Sequence, residues 1–568
     1  MNTNLTTTSA FTYKDLLLRK LYYSVVSSVL SQLVLLQIYV FLSNFNLLHP
    51  IDWVLVTLRT FASLSVWLFI IPFLTVIFAQ SVICAKDYVF KSSYCSTRFQ
   101  KFISAFSMHN LVLLLLHVLV GPMLIWLFLS LGGGDFQELT LRSVRGNAYV
   151  LNEGTFYLIL SGFWTGFYYF IKVYISEKHL SFPVIQQRKW LQLKANLFPL
   201  LKDSFILSIW PTIYFIVIYF VWGKDLSTNF RNMLGLLPDD KTYGVFINIY
   251  LWSFGALYYF NMNLMKFFFN VFLTEPVEFP LCKLSPDLLN LQESITMSDL
   301  PIVQNLACLD LYNLAQWSKP RRQLFYCLSQ PGGHPHNWNA LVENVLKVFK
   351  EYIELLNKST ETAEKIVKPV VCPPLQSPIQ SPNKFRNFRN MSLMSDSGMV
   401  DIVDVTHSTL PGISLPDTIF TKIKQNIFNF ISLTKVILGI DFLFGELPEA
   451  NIQKCLANGL IIVWTSQGIT DLVCTAISED TFGIIQKDIP VLITTLVQLK
   501  QNLDNLNKVP ALTRKIAGYD DFNCRMKGAV TTAVKRSLFN VHRTYNNYLN
   551  DFPLSKEVSL YLQNIYKS

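Results

Sequence analysis

Six long stretches of this sequence contain no Asp, Glu, Lys or Arg: Leu21–Ser43, Phe61–Ala85, Asn110–Leu131, Gly154–Ile171, Ser204–Trp222 and Tyr243–Met265. Only 15% of the 568 residues are charged and 51% are hydrophobic, so the missing charge excludes an ordinary soluble front half. A helix needs roughly 20 apolar residues to cross about 30 Å of hydrocarbon, and each run approaches that length. After about residue 272 no further run of this kind occurs. The second run is long and should tilt, and Pro72, Pro122 and Pro211 are expected to kink their helices.

Other absences narrow the field. No small-residue cleavage site follows a short apolar run, so Leu21–Ser43 reads as a retained signal-anchor. There is no nucleophile elbow, no Cys-x-x-Cys pair, no phosphate loop and no carboxylate cluster beside a histidine. Gly132-Gly133-Gly134-Asp135 lacks the following Lys-Ser/Thr and reads as a turn. The sequence therefore points away from an enzyme and toward a protein with no cofactor. The net charge is +10, yet no dense basic stripe with interleaved aromatics occurs, which argues against direct nucleic-acid binding.

Lys and Arg near the ends of the runs set an orientation. One set holds Lys14, Arg19 and Lys20, then Lys86, Lys91, Arg98 and Lys101, then Lys172, Lys178, Arg188, Lys189, Lys194 and Lys202. The alternate connections hold only Arg59, Arg142, Arg145, Lys224, Arg231 and Lys241. This bias predicts that both termini face the cytoplasm. Of nine cysteines, Cys84 lies in a run and all others fall on that same side, where a reducing milieu demands no pairing. The sequons at Asn4, Asn357 and Asn390 also lie there.

The membrane half has little machinery for transport. His117 is the one clear ionisable residue inside a run, with His109 at its edge and Lys266 placed to snorkel at a span end. Gly162 and Gly166 form a small-xxx-small pair suited to close helix packing within the domain. A polytopic lipid enzyme or transporter of the endoplasmic reticulum or nuclear envelope, using His117, His334 or His336, is the competing reading.

The remainder is expected to be cytoplasmic. Asn337 is placed to cap a helix whose stripe comprises Trp338, Leu341, Val342, Val345, Phe349, Tyr352, Ile353 and Leu356. The turn before it contains Gln330, Pro331, Gly332, Gly333, His334, Pro335 and His336. Two histidines two apart invite a metal, but no second ligand pair stands at a useful spacing. Residues 359–416 are rich in Pro, Ser, Asn and Thr and read as a disordered linker. Ser377 and Ser381, each followed by Pro, are its candidate phosphosites. Phe420, Ile423, Ile427, Phe430 and Ile431 share an apolar face that suits a membrane surface or the tail core. Gly459–Ile477 is apolar but carries Gln467 and Asp471, and reads as a buried helix. Further helices are expected over Pro490–Leu506 and Asp521–Leu549.

The expected architecture is all-α: residues 1–20 at the cytoplasmic N-terminus, a six-helix polytopic transmembrane domain over 21–272, a helical segment over 273–358, the linker over 359–416 and an α-helical domain over 417–568.

Three strings resemble one family. Ser318-Lys319-Pro320-Arg321-Arg322-Gln323, followed by Leu328 to Trp338, looks like the signature region of the nuclear division cycle family of transmembrane nucleoporins. Phe182-Pro183-Val184-Ile185-Gln186-Gln187 resembles that family's short cytoplasmic loop, and Glu479 through Gln486 to Leu499 is the third match. The resemblance implies a non-catalytic membrane anchor of the nuclear pore complex, located in the nuclear envelope and helping to insert new pores. It implies as partners the lipid bilayer, the inner-ring scaffold nucleoporin with an RNA-recognition-like dimer domain, and the propeller nucleoporin aladin. Barrier nucleoporins need many Phe-Gly repeats; here Phe254-Gly255, Phe444-Gly445 and Phe482-Gly483 stand in apolar, helical surroundings, which suits a scaffold.

Overall fold

The computed structural model describes residues 12–45, 48–89, 97–132, 134–142, 149–174, 180, 182–183, 187–237, 244–282, 289–328, 333–367, 448–507, 521–549 and 551–567. Among these, helix dominates. The membrane half comprises α1 (Tyr13–Ser43), α2 (Pro50–Ala62), α3 (Leu64–Val89), α4 (Arg98–Ala105), α5 (Met108–Gly132), α6 (Glu153–Tyr169), α7 (Lys189–Leu207), α8 (Ile209–Leu234) and α9 (Phe246–Leu273). A small hairpin, β1 (Thr140–Arg142) and β2 (Tyr149–Leu151), precedes α6, and a single π-helical turn, Phe170–Tyr174, follows it. The tail comprises α10 (Leu291–Ile295), α11 (Pro301–Trp317), α12 (Lys319–Gln323), α13 (His336–Val367), α14 (Pro448–Ala457), α15 (Gly459–Glu479), α16 (Ile489–Asn507), α17 (Asp521–Tyr545) and α18 (Lys556–Lys567).

Two expected spans are divided differently. The run from Phe61 is broken at Ser63, which separates α2 from α3, so the long apolar helix starts at Leu64. The run from Ser204 is broken at Ser208. Pro211 explains the second break: it has no N–H to donate to the Leu207 carbonyl, so α7 ends there and the proline sits in the first turn of α8. Pro72 and Pro122 lie inside α3 and α5.

Among the described residues, five stretches are long and apolar enough to cross a membrane by length and composition: Tyr13–Ser43, Leu64–Val89, Met108–Gly132, the α7–α8 stretch Lys189–Leu234, and Gly459–Glu479. The expected spans now seen as α6 and α9 are not among them. The regular part of α6 has only 17 residues, and α9 carries Asn248, Asn261, Asn263 and Asn270. Conversely α15, apolar as it is, packs between α11 and α17 and buries Ile461, Ile462, Trp464, Ile469, Leu472 and Val473. It is the central helix of the tail core.

In the membrane half α9 is the hub, packed by α1, α6 and α7, while α5 and α6 form the tightest pair. Gly162 and Gly166 create that pairing. A Cβ on Gly162 would stand 2.6 Å from the Pro122 backbone nitrogen, and one on Gly166 would stand 2.2 Å from the His117 carbonyl oxygen. Gly121 opposes Gly162 in the same way. The backbones touch, as at other small-residue crossings in bilayers.

The tail begins immediately after α9. The α13 stripe is buried at Trp338, Leu341, Val342, Val345, Phe349, Tyr352 and Leu356, with Ile353 half-buried. The helix starts at His336, so Asn337 lies in its first turn instead of capping it; its side-chain amide donates to the Leu324 carbonyl at 3.2 Å. Nor does the helix stop at 358. It continues to Val367, and Ser359, 2% exposed, donates to the carbonyls of Leu355 and Asn451. The residues on either side of the expected linker therefore build one tail domain, in which α13 packs on α14 and α16.

Replacing Gly162 with Leu should force α5 and α6 apart and cost about 1–3 kcal/mol, the usual range for overpacking. Thermal unfolding of the full chain in detergent micelles should show a lower midpoint than a Phe163→Leu control on the exposed side of the same helix.

Candidate functional site at the junction of the two halves

The resembling strings lie far apart in sequence, and the fold brings them together. Arg321 and Arg322, neighbours on α12, reach in different directions. Arg321 forks onto Asp310 of α11, with Nη1 to Oδ1 at 2.7 Å and Nη2 to Oδ2 at 2.8 Å, and also donates to the Phe279 carbonyl at 2.7 Å. The Phe279 amide donates back to Asp310 at 2.9 Å. Asp310 is 3% exposed, so its charge survives burial only because this fork and the amide satisfy it. The arrangement pins the segment leaving α9 onto α11.

Arg322 reaches the last turn of α15. Its Nη2 and Nε donate to the two carboxylate oxygens of Glu479, at 2.9 and 3.2 Å, while Nη1 donates to the Ala315 carbonyl at 2.9 Å. A carboxylate at a helix C-terminus opposes the helix dipole, and the guanidinium offsets that cost. The next residue, Asp480, accepts from the amides of Phe482 and Ile485, and Gly483 turns the chain with φ +66°. Only glycine adopts that conformation freely. The third string is thus a capped helix end and turn, which delivers Asp488 to the start of α16.

Asp488 meets the signature tryptophan. Trp338 is fully buried and its Nε1 donates to Asp488 Oδ2 at 2.9 Å. Tyr326 donates its hydroxyl to the Leu472 carbonyl at 2.8 Å, and Lys487 donates to Asn339 at 2.8 Å on the exposed rim. The remaining string joins too: the Phe182 ring lies edge-on to Trp464 of α15, with centroids 5.1 Å apart. Phe182 belongs to the connection between α6 and α7, so this contact ties the membrane half to the tail core.

A second tie lies where the chain leaves α9. Lys20 of α1 donates to the carbonyls of Phe272 and Glu275, at 3.2 and 2.7 Å, capping the C-terminal end of α9. Lys189, at the start of α7, pairs with Glu275 at 2.8 Å and sits over the Phe272 ring.

The other candidate residues are not drawn into this site. His117 is buried in α5, bonded through Nδ1 to the Leu113 carbonyl at 2.8 Å and stacked on Tyr169. Lys266 does not snorkel outward; its ammonium lies over the Tyr169 ring at 5.4 Å. His109 pairs with Asp87 at 2.8 Å. His334 and His336 face each other at the start of α13, and among the described residues no group of three or more His, Cys, Asp or Glu could hold a metal. Burial pushes the Cys308 thiol well up and the Cys455 thiol to about 12, so neither is a nucleophile at neutral pH. Of the signature turn, Gly333, His334 and Pro335 are described, while Gln330, Pro331 and Gly332 lie outside the described residues, as do Ser377, Ser381, Phe420, Ile423, Ile427, Phe430 and Ile431.

Sequence reasoning missed Asp310, Glu479 as an ion-pair partner, Asp488 and Trp464. One signal was available: Asp310 is the only acidic residue of α11, whose other positions are largely apolar, and a carboxylate so placed demands a buried partner.

The molecule is a helical protein whose apolar helices fit a membrane protein and are tied to a helical tail through Phe182 on Trp464 and Lys189 on Glu275. The family model described as "Nucleoporin protein Ndc1-Nup" matches residues 15–563. The chain belongs to this family of nucleoporins, which is not an enzyme family. It is 26% identical to Nucleoporin Ndc1 of Drosophila melanogaster, with 95% of each chain covered. It is 24% identical to Nucleoporin NDC1 of Mus musculus and to that of Homo sapiens, with 97% of each chain covered in both cases.

Replacing Arg321 with Ala should cost about 3–5 kcal/mol, because Asp310 would be left buried and unpaired. A joint Asp310→Leu and Arg321→Met replacement should cost less than that single change, which thermal unfolding of the full chain in micelles would read directly.

Proposed function

We propose that this chain is an integral membrane component of the nuclear pore complex that anchors the complex in the nuclear envelope. It supports pore assembly and insertion by linking the pore membrane to soluble scaffold nucleoporins. Six helices cross the bilayer in this reading: α1, α3, α5, α6, α8 and α9. The excess of Lys and Arg on alternate connections supports a cytoplasmic, pore-facing side for both termini. The tail is then the recruiting surface, and the inner-ring nucleoporin with an RNA-recognition-like dimer domain and aladin are its expected partners.

The observation that carries this reading is the junction itself. Strings that resemble a nucleoporin family lie at the weld: Phe182 on Trp464 ties the membrane half to the tail, beside Lys20 and Lys189 on Glu275, while Arg321 on Asp310 and Phe279 and Arg322 on Glu479 lock the tail behind it. An anchor must transmit load between bilayer and scaffold, and a flexible tether in place of these buried contacts would transmit little. A transporter or enzyme has no comparable need, and His117 is stacked away from His334 and His336.

The test is high-resolution imaging of an endogenously tagged C-terminus beside a pore-scaffold marker. Puncta on the nuclear rim that coincide with pores are expected. A diffuse reticular pattern without pore overlap would overturn the anchor reading. Protease treatment of cells with only the plasma membrane permeabilised should remove a C-terminal tag; a protected tag would reverse the orientation.

A further inference from the structure

The helix α2 has no fully buried residue, although it is strongly apolar on one side. Ile51, Val54, Leu55 and Leu58 recur at the spacing of a single helical face and are 76, 46, 58 and 64% exposed. Asp52, Val56 and Arg59 occupy another face, and both charges of the helix lie there. Trp53, Thr57, Thr60 and Phe61 are half-buried toward the neighbouring helices. The outward apolar face is therefore a property of the sequence pattern and does not arise from loose packing.

Its place in the chain limits what can cover it. Six residues separate α2 from the end of α1, and the single residue Ser63 separates it from α3. Both flanking helices are long and apolar enough to cross a bilayer. The two ends of α2 are also fixed to them. Trp53 stacks on Phe41 at 4.1 Å, meets Phe45 edge-on at 4.8 Å, and donates its indole N–H to the Phe41 carbonyl. At the other end Trp67 of α3 donates to the Phe61 carbonyl at 2.8 Å. A helix of 13 residues is about 20 Å long, too short for a crossing of about 30 Å. Trp residues at the ends of spanning helices, here Trp53 and Trp67, mark the membrane interface.

We propose that α2 lies in the plane of the bilayer at its surface, on the side opposite the tail, with Ile51, Val54, Leu55 and Leu58 immersed among the acyl chains and Asp52 and Arg59 in the headgroups. The occupant of its free face is lipid. The inference rests on α1 and α3 spanning the membrane, because that continuity brings α2 to the interface. An in-plane helix of this kind gives the anchor a grip on the second membrane face, independent of the tail and its partners.

The test uses the full chain reconstituted in phosphatidylcholine vesicles, with a photoreactive benzoyl-phenylalanine placed at one position at a time. All the chosen positions are exposed, so none disturbs the core. Leu55 and Leu58 should give lipid adducts at a yield similar to Leu68, an exposed residue of α3, and several-fold above Asp52 and Arg59. Strong lipid adducts at Leu68 with none at Leu55 or Leu58 would overturn the proposal while leaving the spans intact. Protein adducts to a second copy at Leu58 would overturn it in favour of a homotypic contact. Absence of lipid adducts at Leu68 would remove the spanning reading, and this proposal with it.

Discussion

Two adjacent arginines hold the tail core in register with the chain that leaves α9. Because Arg321 and Arg322 follow one another on a short helix, that helix is held at once to the chain leaving α9 and to the end of α15. Any displacement of the tail core relative to the exit segment would have to break one fork or the other. Buried forks of this kind contribute little net stability compared with an apolar substitute, but they forbid alternatives, since each broken partner leaves an uncompensated charge. The junction is therefore better understood as a device that selects one arrangement than as one that adds stability.

The same constraint explains how the tail tolerates interruption by residues 368–447. The helices before and after them do not form two small domains. Helix α15 runs between α11 and α17, and α13 packs against α14 and α16, so each part completes the other's core. Trp338 on Asp488 and Tyr326 on the Leu472 carbonyl add directional bonds across the same boundary.

The degree to which the sequence announced this structure varies with the physics involved. Charge-free runs are legible because long apolar helices leave a plain compositional mark, and the α13 stripe is legible because burial imposes helical spacing. The break at Ser63 is not, since both neighbours of the break remain apolar and only the local backbone changes. The end of α13 is hidden for the converse reason: residues 359–367 are mostly polar, yet Ser359 finds carbonyl partners that only the folded tail supplies. The site itself was visible only as strings resembling a family. That Arg322 would meet Glu479, far along the chain, follows from the packing of α11 on α15 and from no local pattern.

The helices α6 and α9 show what hydropathy does and does not record. A helix that faces lipid must be apolar, whereas one enclosed by other helices may carry polar groups if they are satisfied. Helix α9 is of the second kind. Asn248 accepts from the Tyr157 hydroxyl at 2.9 Å, and Asn263 donates to Ser204 at 3.0 Å, while Tyr258 donates to the His117 carbonyl at 3.2 Å. These bonds reach from α9 to α5, α6 and α7, so Asn248 and Asn263, two of the residues that lower its hydropathy, also hold the bundle around it. The long apolar helix Gly459–Glu479 is the inverse case: composition alone would send it into lipid, but α11 and α17 already cover it. Hydropathy records how much apolar surface a helix has, and only packing decides whether lipid or protein covers that surface.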